Sequence, residues 1–313
     1  MTAPERPLES VTFAGYAPGP RLIVLGAVHG DETCGPTAIA RVVGDIRDGM
    51  LRITRGLVTF VPVANPKAFR LATREGDRNL NRDLREKPLP LDFEDRVGNR
   101  LCALLRDHDA LLDIHSFKGE GPPFAFYGPD DNDGAREPFA QAAAEHALAT
   151  RLGVDVLIHG WLETYEKLIA ARNRLDLPPL AVTEGYGTTE FMRFAGGYAV
   201  TLECGRHDDP VAPAIGETAI RATLAHLRLI DAPAPPPRAA TIIHMCETIL
   251  CEAPGDRLEG VRRTADRIAA GEVIGRRAGG APVTAPFDGF VIFPNAAAKP
   301  GEAICHLGRA SQR

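Results

Sequence analysis

Three short segments hold residues that could carry out hydrolysis together: His29-Gly-Asp-Glu32, Asp113-Ile-His115 and Leu202-Glu203-Cys204-Gly205. Two imidazoles and one carboxylate form a catalytic metal set that leaves a position open for water. That mixture of donors suits Zn2+ best, without excluding other divalent ions. His29 and Glu32 are three residues apart, so a turn can bring both to one side, and His115 would come from a separate strand. Glu203 is then the natural general base. Each segment has an ordinary explanation on its own. HxxE is often a surface turn, His115 could be a satisfied core histidine, and Glu203 could belong to a buried ion pair. Their joint occurrence, each after an apolar run, points to one site.

The apolar runs are the elements that must position these residues. Residues 21–28, 109–114 and 198–202 read as buried strands, and strands of a mostly parallel sheet open at their ends into a common crevice. Residues 33–49 read as a helix, with Pro36 near its start and Ile39, Val42, Val43 and Ile46 on one face. Residues 57–63 are a second strand, giving β–loop–α–β and hence an α/β fold with a parallel pair. Further helices are expected at 93–108, 137–152, 162–172 and 214–229, and a strand at 154–158. Residues 65–84 and 119–134 read as irregular. The proline-rich stretch 231–238 can neither continue a helix nor donate to a ladder, so it reads as a linker. Beyond it, residues 239–313 hold only short β-like runs and turn signals. The expected organisation is a catalytic domain over 1–230, a linker over 231–238 and a small β-rich domain over 239–313.

Composition narrows the function. A chain of 313 residues that is 44% hydrophobic can bury a full core. Net charge is -5 with no long basic run, which argues against nucleic acid. No stretch approaches a membrane span, and the polar, Pro-rich segment 1–10 lacks the pattern of a signal peptide. Six cysteines at 34, 102, 204, 246, 251 and 305, with no CxxC, read as reduced thiols in the cytoplasm, although Cys246 and Cys251 could meet across a bend. Residues 70–82 hold Arg70, Arg74, Arg78 and Arg82. Such a run is usually a solvated loop, but Asn81 beside Arg82 is also how a site grips a carboxylate, and a further arginine could stabilise an oxyanion. Asp113, two residues before His115, is either a polar strand end or a carboxylate that orients the imidazole. The other histidines, His207 among them, have no comparable partners in sequence.

The order His29-Gly-Asp-Glu32, Asn65-Pro66, Arg74, Asn79-Leu-Asn81-Arg82, Asp113-Ile-His115, Leu202-Glu203 resembles the succinylglutamate desuccinylase/aspartoacylase family, a branch of the zinc carboxypeptidase-like hydrolases. The resemblance implies a mixed, mostly parallel sheet flanked by helices, followed by a small all-β, barrel-like domain. It implies one Zn2+ on His29, Glu32 and His115, and Glu203 as general base and acid. It further implies Arg74 as the carbonyl-polarising arginine, Asn81 and Arg82 as the clamp for a substrate carboxylate, and Arg193 as a further substrate-binding arginine. Two departures stand out. In aspartoacylase a tyrosine from the C-terminal domain reaches the substrate, whereas this chain has no tyrosine after Tyr198, and the position of Asn79 is often Asp in the family. The expected function is zinc-dependent hydrolysis of the amide bond of a small N-acylated amino acid or related amide. The expected substrate bears a carboxylate, and a homo-oligomer is left open. A carboxypeptidase acting on peptide C-termini and a non-catalytic zinc-binding protein are the alternatives. A C-terminal module that caps the crevice would favour small substrates.

Overall fold

Leu22, Ile23, Val24 and Leu25 are all fully buried although successive side chains point to opposite faces. A strand with this property must be covered on both sides, and the computed structural model, which describes residues 8–175 and 177–313, shows how. The first seven residues of the Pro-rich N-terminal segment lie outside the described residues. In chain order the elements are β1 (Val11–Ala14), β2 (Ala17–Gly26), α1 (Cys34–Arg47), β3 (Arg55–Val61), α2 (Pro66–Leu71), α3 (Phe93–Arg106), β4 (Ala110–Phe117), β5 (Phe124–Phe126), α4 (Ala142–Ala149), β6 (Val156–His159), α5 (Trp161–Arg172), α6 (Thr188–Phe194), β7 (Tyr198–Arg206) and α7 (Ala212–His226). Then follow β8 (Thr241–Leu250), β9 (Arg257–Leu258), β10 (Arg267–Ile268), β11 (Val273–Arg276), β12 (Pro282–Thr284), β13 (Gly289–Ile292) and β14 (Ala303–Ala310).

Leu22 and Val24 pack with Ala38, Ile39 and Val42 of α1 and with Ile220 and Leu224 of α7. Ile23 and Leu25 pack on the opposite side with Leu101 and Leu105 of α3 and Met192 of α6. Each such leucine or isoleucine contributes about 1.5–3 kcal/mol by leaving water. The side chain of Asp92 accepts a hydrogen bond from Asp95 N at 2.7 Å and caps α3. The strand order is β1-β3-β2-β4-β7-β5-β6-β8-β14-β13-β10. Pairs β2/β3, β2/β4, β4/β7, β5/β6 and β6/β8 are parallel. The expected mixed, mostly parallel sheet flanked by helices is therefore present, with an antiparallel β region towards the C-terminus.

Several local expectations shift. Residues 65–84 are not wholly irregular: Asn65 caps α2 through its side chain and Pro66 stands at the first helical position. Both are start signals for a helix, and the surrounding polar residues obscured them. β5 falls inside the stretch read as a loop at 119–134, and the helix expected at 137–152 is only Ala142–Ala149. β4 and β7 run on past His115 and Glu203, so those side chains project from within strands.

Residues 231–240 contain no helix or strand, yet this stretch does not separate two sheets. β8 pairs in parallel with β6, with Leu157 opposite Ile242 and His159 opposite His244. β14, β13 and β10 then extend the sheet in antiparallel fashion. The reason is the edge of β6, whose buried Val156, Leu157 and Ile158 need a hydrogen-bonded neighbour. β9, β11 and β12 form a separate small sheet.

His306 on β14 is buried, and its Nδ1 lies 2.9 Å from Thr248 Oγ1. Burial first, then the nearby Arg82 charge, lowers its pKa to about 4. A histidine with a depressed folded pKa leaves the unfolded chain binding the extra proton between about pH 6.5 and pH 4. Its contribution is fully present above pH 6.5 and is lost as the pH falls through that window. His306→Gln should therefore flatten the acid limb of the stability curve by about one proton's slope. Urea denaturation from pH 4.5 to 7.5 measures this, and parallel curves for the two proteins would refute it.

Candidate active site

The turn between β2 and α1 brings His29 and Glu32 together. Glu32 N donates to His29 O at 3.3 Å, and Ala27 takes a positive φ of 46° as the chain leaves the strand. Gly30 is required here: a Cβ on it would stand 2.0 Å from the carbonyl carbon of Ala68 in α2. β4, next to β2, supplies Asp113 and His115 from one face, and β7 sets Glu203 directly beside His115. Thus the four residues singled out by type and spacing do converge.

His29 Nδ1 lies 2.8 Å from Glu32 Oε1, and His115 Nδ1 lies 2.9 Å from Glu32 Oε2. The donor atoms of these three buried residues are all within 4.8 Å of one another. The far nitrogens have oxygens close by, although His115 Nε2 makes no contact of hydrogen-bond geometry. His29 Nε2 lies 3.2 Å from Asn79 Oδ1, and His115 Nε2 lies 2.9 Å from Asp113 Oδ2. The Asn79 contact favours the His29 tautomer with the proton on Nε2, leaving its Nδ1 as a donor to a cation. Asp113, left with two readings above, places Oδ2 beside the His115 ring in an ion-pair contact, and the same Oδ2 accepts a hydrogen bond from the Thr188 hydroxyl.

Electrostatics favour a cation at this point. Burial works against ionised Glu32, yet His29 and His115 hold its pKa well below the usual carboxylate range. Burial likewise works against protonated His115, yet Asp113 and Glu32 raise its pKa well above the ordinary value. A centre that pulls a proton onto a buried imidazole would also be satisfied by a divalent ion, with release of that proton. The donor set and its charge fit zinc. Glu203 is 8% exposed, and its Oε2 is buried without a hydrogen-bond partner. Burial, then the neighbouring Glu32, raises its pKa to about 8 against the pull of His115 and Arg74.

The arginine-rich loop is an ordered part of the site. The sequence offered no sign of the residue that holds it, Glu94 of α3. Its carboxylate accepts from Asn65 Nδ2 at 2.9 Å and from the backbone N–H of Gly76, Asp77 and Arg78 at 3.1, 3.0 and 3.3 Å. Arg78 is structural, pairing with Asp92 and Asp95. Arg74 reaches inward, its Nη1 3.4 Å from Glu32 Oε1. Arg82 lies across Trp161, 5.0 Å from the ring centroid, and donates to Asn81 O at 2.6 Å. Its guanidinium has no carboxylate partner among the described residues. Asn81 Oδ1 accepts from Thr188 N at 2.9 Å.

Arg193, expected as a further substrate-binding arginine, is tied to carboxylates of its own. It sits on the cleft wall, but its donors go to Glu145 at 3.0 Å, Glu137 at 2.8 Å, Glu190 at 3.2 Å and Ala199 O at 3.1 Å. Three carboxylates already pair with it.

The cleft in front of these groups has a volume of about 400 Å³. His244, Phe293 and Arg313, all beyond the proline-rich stretch, line it together with His29, Arg82 and Glu203. His244 stacks on His159 at 4.7 Å between centroids, and Arg313 lies over Tyr127 at 4.9 Å. None of these cleft residues was legible in sequence, because only the β6/β8 pairing brings them to the site.

The mixed, mostly parallel sheet and its flanking helices are consistent with the zinc carboxypeptidase-like fold. Residues 18–125 match the model of the succinylglutamate desuccinylase/aspartoacylase catalytic domain. No curated protein matches the sequence. Among solved structures, the product-bound ectoine utilization protein EutE (DoeB) from Ruegeria pomeroyi is 22% identical with a TM-score of 0.72, over 97% of this chain and 89% of that one. A succinylglutamate desuccinylase/aspartoacylase from Rhodobacter sphaeroides is 18% identical with a TM-score of 0.73, over 96% and 89%. Succinylglutamate desuccinylase from Vibrio parahaemolyticus is 17% identical with a TM-score of 0.70, over 97% and 86%. At these identities the likeness establishes a common fold. No helix among the described residues is long and apolar enough to cross a membrane.

Proposed function

We propose that the chain is a zinc-dependent amidohydrolase that removes the acyl group from a small, carboxylate-bearing N-acylated amino acid or related amide. The observation that carries the reading is the unpartnered, buried Oε2 of Glu203 beside the His29–Glu32–His115 group. A zinc ion held by those three residues supplies a Lewis acid that lowers the pKa of water towards ~7 and polarises the substrate carbonyl. Glu203 takes the proton as water adds to the carbonyl carbon, and returns it to the amine nitrogen as the C–N bond breaks. Its raised pKa makes it a stronger base than an ordinary carboxylate. Arg74 donates to the developing oxyanion. Arg82, with Asn81 beside it, binds the substrate carboxylate through its planar fork, held in place by Trp161.

His244, Phe293 and Arg313 add walls from the C-terminal part of the chain to a cleft of about 400 Å³, which favours a small substrate over a peptide. The carboxypeptidase alternative is weaker for that reason. Zinc-loaded protein assayed against N-acetyl, N-succinyl and N-formyl amino acids tests the reading, and turnover of peptides alone would overturn it. The two arginines should respond differently to lysine. Arg82→Lys keeps the charge but loses the fork, so KM should rise roughly tenfold with little change in kcat. Arg74→Lys should instead lower kcat by about tenfold, because its partner exists mainly in the transition state. Carboxamide analogues should be poor substrates of the unaltered protein. Equal, mild KM effects in both variants would remove the carboxylate clamp from the reading.

A further inference from the structure

Glu32 borders a second group of donors on the side away from the cleft. Asp31, Glu32 and His207 place ligand atoms within 4.8 Å of one another. His207 follows β7 directly, and its backbone is fixed by a bond from its N–H to Phe117 O at 3.0 Å. Ser116 organises the group from both sides: its N–H donates to Glu32 Oε2 at 3.1 Å, and its Oγ lies 2.8 Å from His207 Nδ1. With Ser116 Oγ accepting from Nδ1–H, the lone pair of His207 is on Nε2. That Nε2 is buried without a hydrogen-bond partner, and so is Oδ1 of Asp31. The two side chains face each other, with His207 Nε2 3.9 Å from Asp31 Oδ2. Two orphaned buried polar atoms at one point are costly unless something satisfies both. The only cation near Asp31 Oδ2 among the described residues is Lys118, at 3.1 Å, and its side chain is 71% exposed.

We propose that Asp31, Glu32 and His207 form a second divalent-cation site adjoining the first, with Glu32 shared between them. One imidazole and two carboxylates are donors for Zn2+ or a similar borderline ion. Lys118 is a weak competitor, since an exposed lysine pair contributes little. The first site rests on His29, Glu32 and His115 and shares only Glu32 with this one, so the proposal is tested through His207 and Lys118, which the amidohydrolase reading does not use.

The test is metal stoichiometry. The full chain is stripped with chelator, dialysed against Zn2+ and analysed for bound metal, with Co2+ absorption as a second readout. The unaltered protein should hold about two ions, one tighter than the other, and His207→Ala should lose only the weaker. Lys118→Ala should tighten the weaker ion by up to roughly fivefold, the range that an exposed lysine–carboxylate pair contributes. This gain of binding cannot come from a damaged fold. A single ion in the unaltered protein at excess Zn2+, an unchanged count in His207→Ala, or a weakened second affinity in Lys118→Ala would each overturn the proposal.

Discussion

Glu203→Gln should lower kcat by on the order of 10²-fold or more while the tightly held zinc stays in place. The substitution is nearly isosteric and keeps an oxygen where the buried, unpartnered Oε2 now lies, but an amide cannot accept the proton of water. It also removes a carboxylate whose ionisation is opposed by burial and by the adjacent Glu32, so the fold should not suffer. Thermal stability should be equal to or above that of the unaltered protein. The decisive measurement is kcat beside metal content and melting temperature. Near-normal turnover would return Glu203 to a structural role, and loss of metal would show that it acts through the ligand set.

His115→Ala should abolish both the tightly held metal and measurable turnover. A three-ligand zinc site places its donors at ~2.0–2.2 Å, and removing one of them leaves too few to retain the ion against dilution. The variant also leaves Asp113 in the interior without its imidazole partner. Breaking a buried charged contact in this way costs about 3–5 kcal/mol, so a lower melting temperature is expected too. Asp113→Asn separates the two effects: the side chain stays, the imidazole loses its anionic partner, and zinc affinity should fall by roughly 10–100-fold without its disappearance. Elemental analysis after dialysis checks both variants, and unchanged zinc in His115→Ala would refute the ligand set.

The convergence of His29, Glu32, His115 and Glu203 was readable because its parts are local. His29 and Glu32 share one turn, Asp113 and His115 share one strand face, and each lies beside an apolar run whose burial the core bears out. The sheet with helices on both faces followed from the same runs. What escaped was set at long range. Glu94 gives no sign of its work, because its partners at Asn65 and Gly76–Arg78 come from a different part of the chain. Arg193 looked like a candidate cation until folding brought Glu137, Glu145 and Glu190 around it. His207 looked isolated in sequence because its neighbours Ser116 and Asp31 stand on other strands and turns. The join across β6 and β8 was hidden by the prolines between them, which signal a break in local structure and say nothing about which strand edges meet afterwards.

That join has a consequence for how the protein can be cut. β6 and β8 each bury an apolar face and share a parallel ladder, so neither is an outer edge of the sheet. A protease nick within residues 231–240 leaves the ladder intact, and the two pieces should stay together as a noncovalent complex. A fragment made without residues 241–310 is in a different position. It presents Val156, Leu157 and Ile158 as an open strand edge in water, a template for pairing with the same edge of another molecule. Such a fragment should come out of expression as aggregate, even though its own candidate metal ligands are all present.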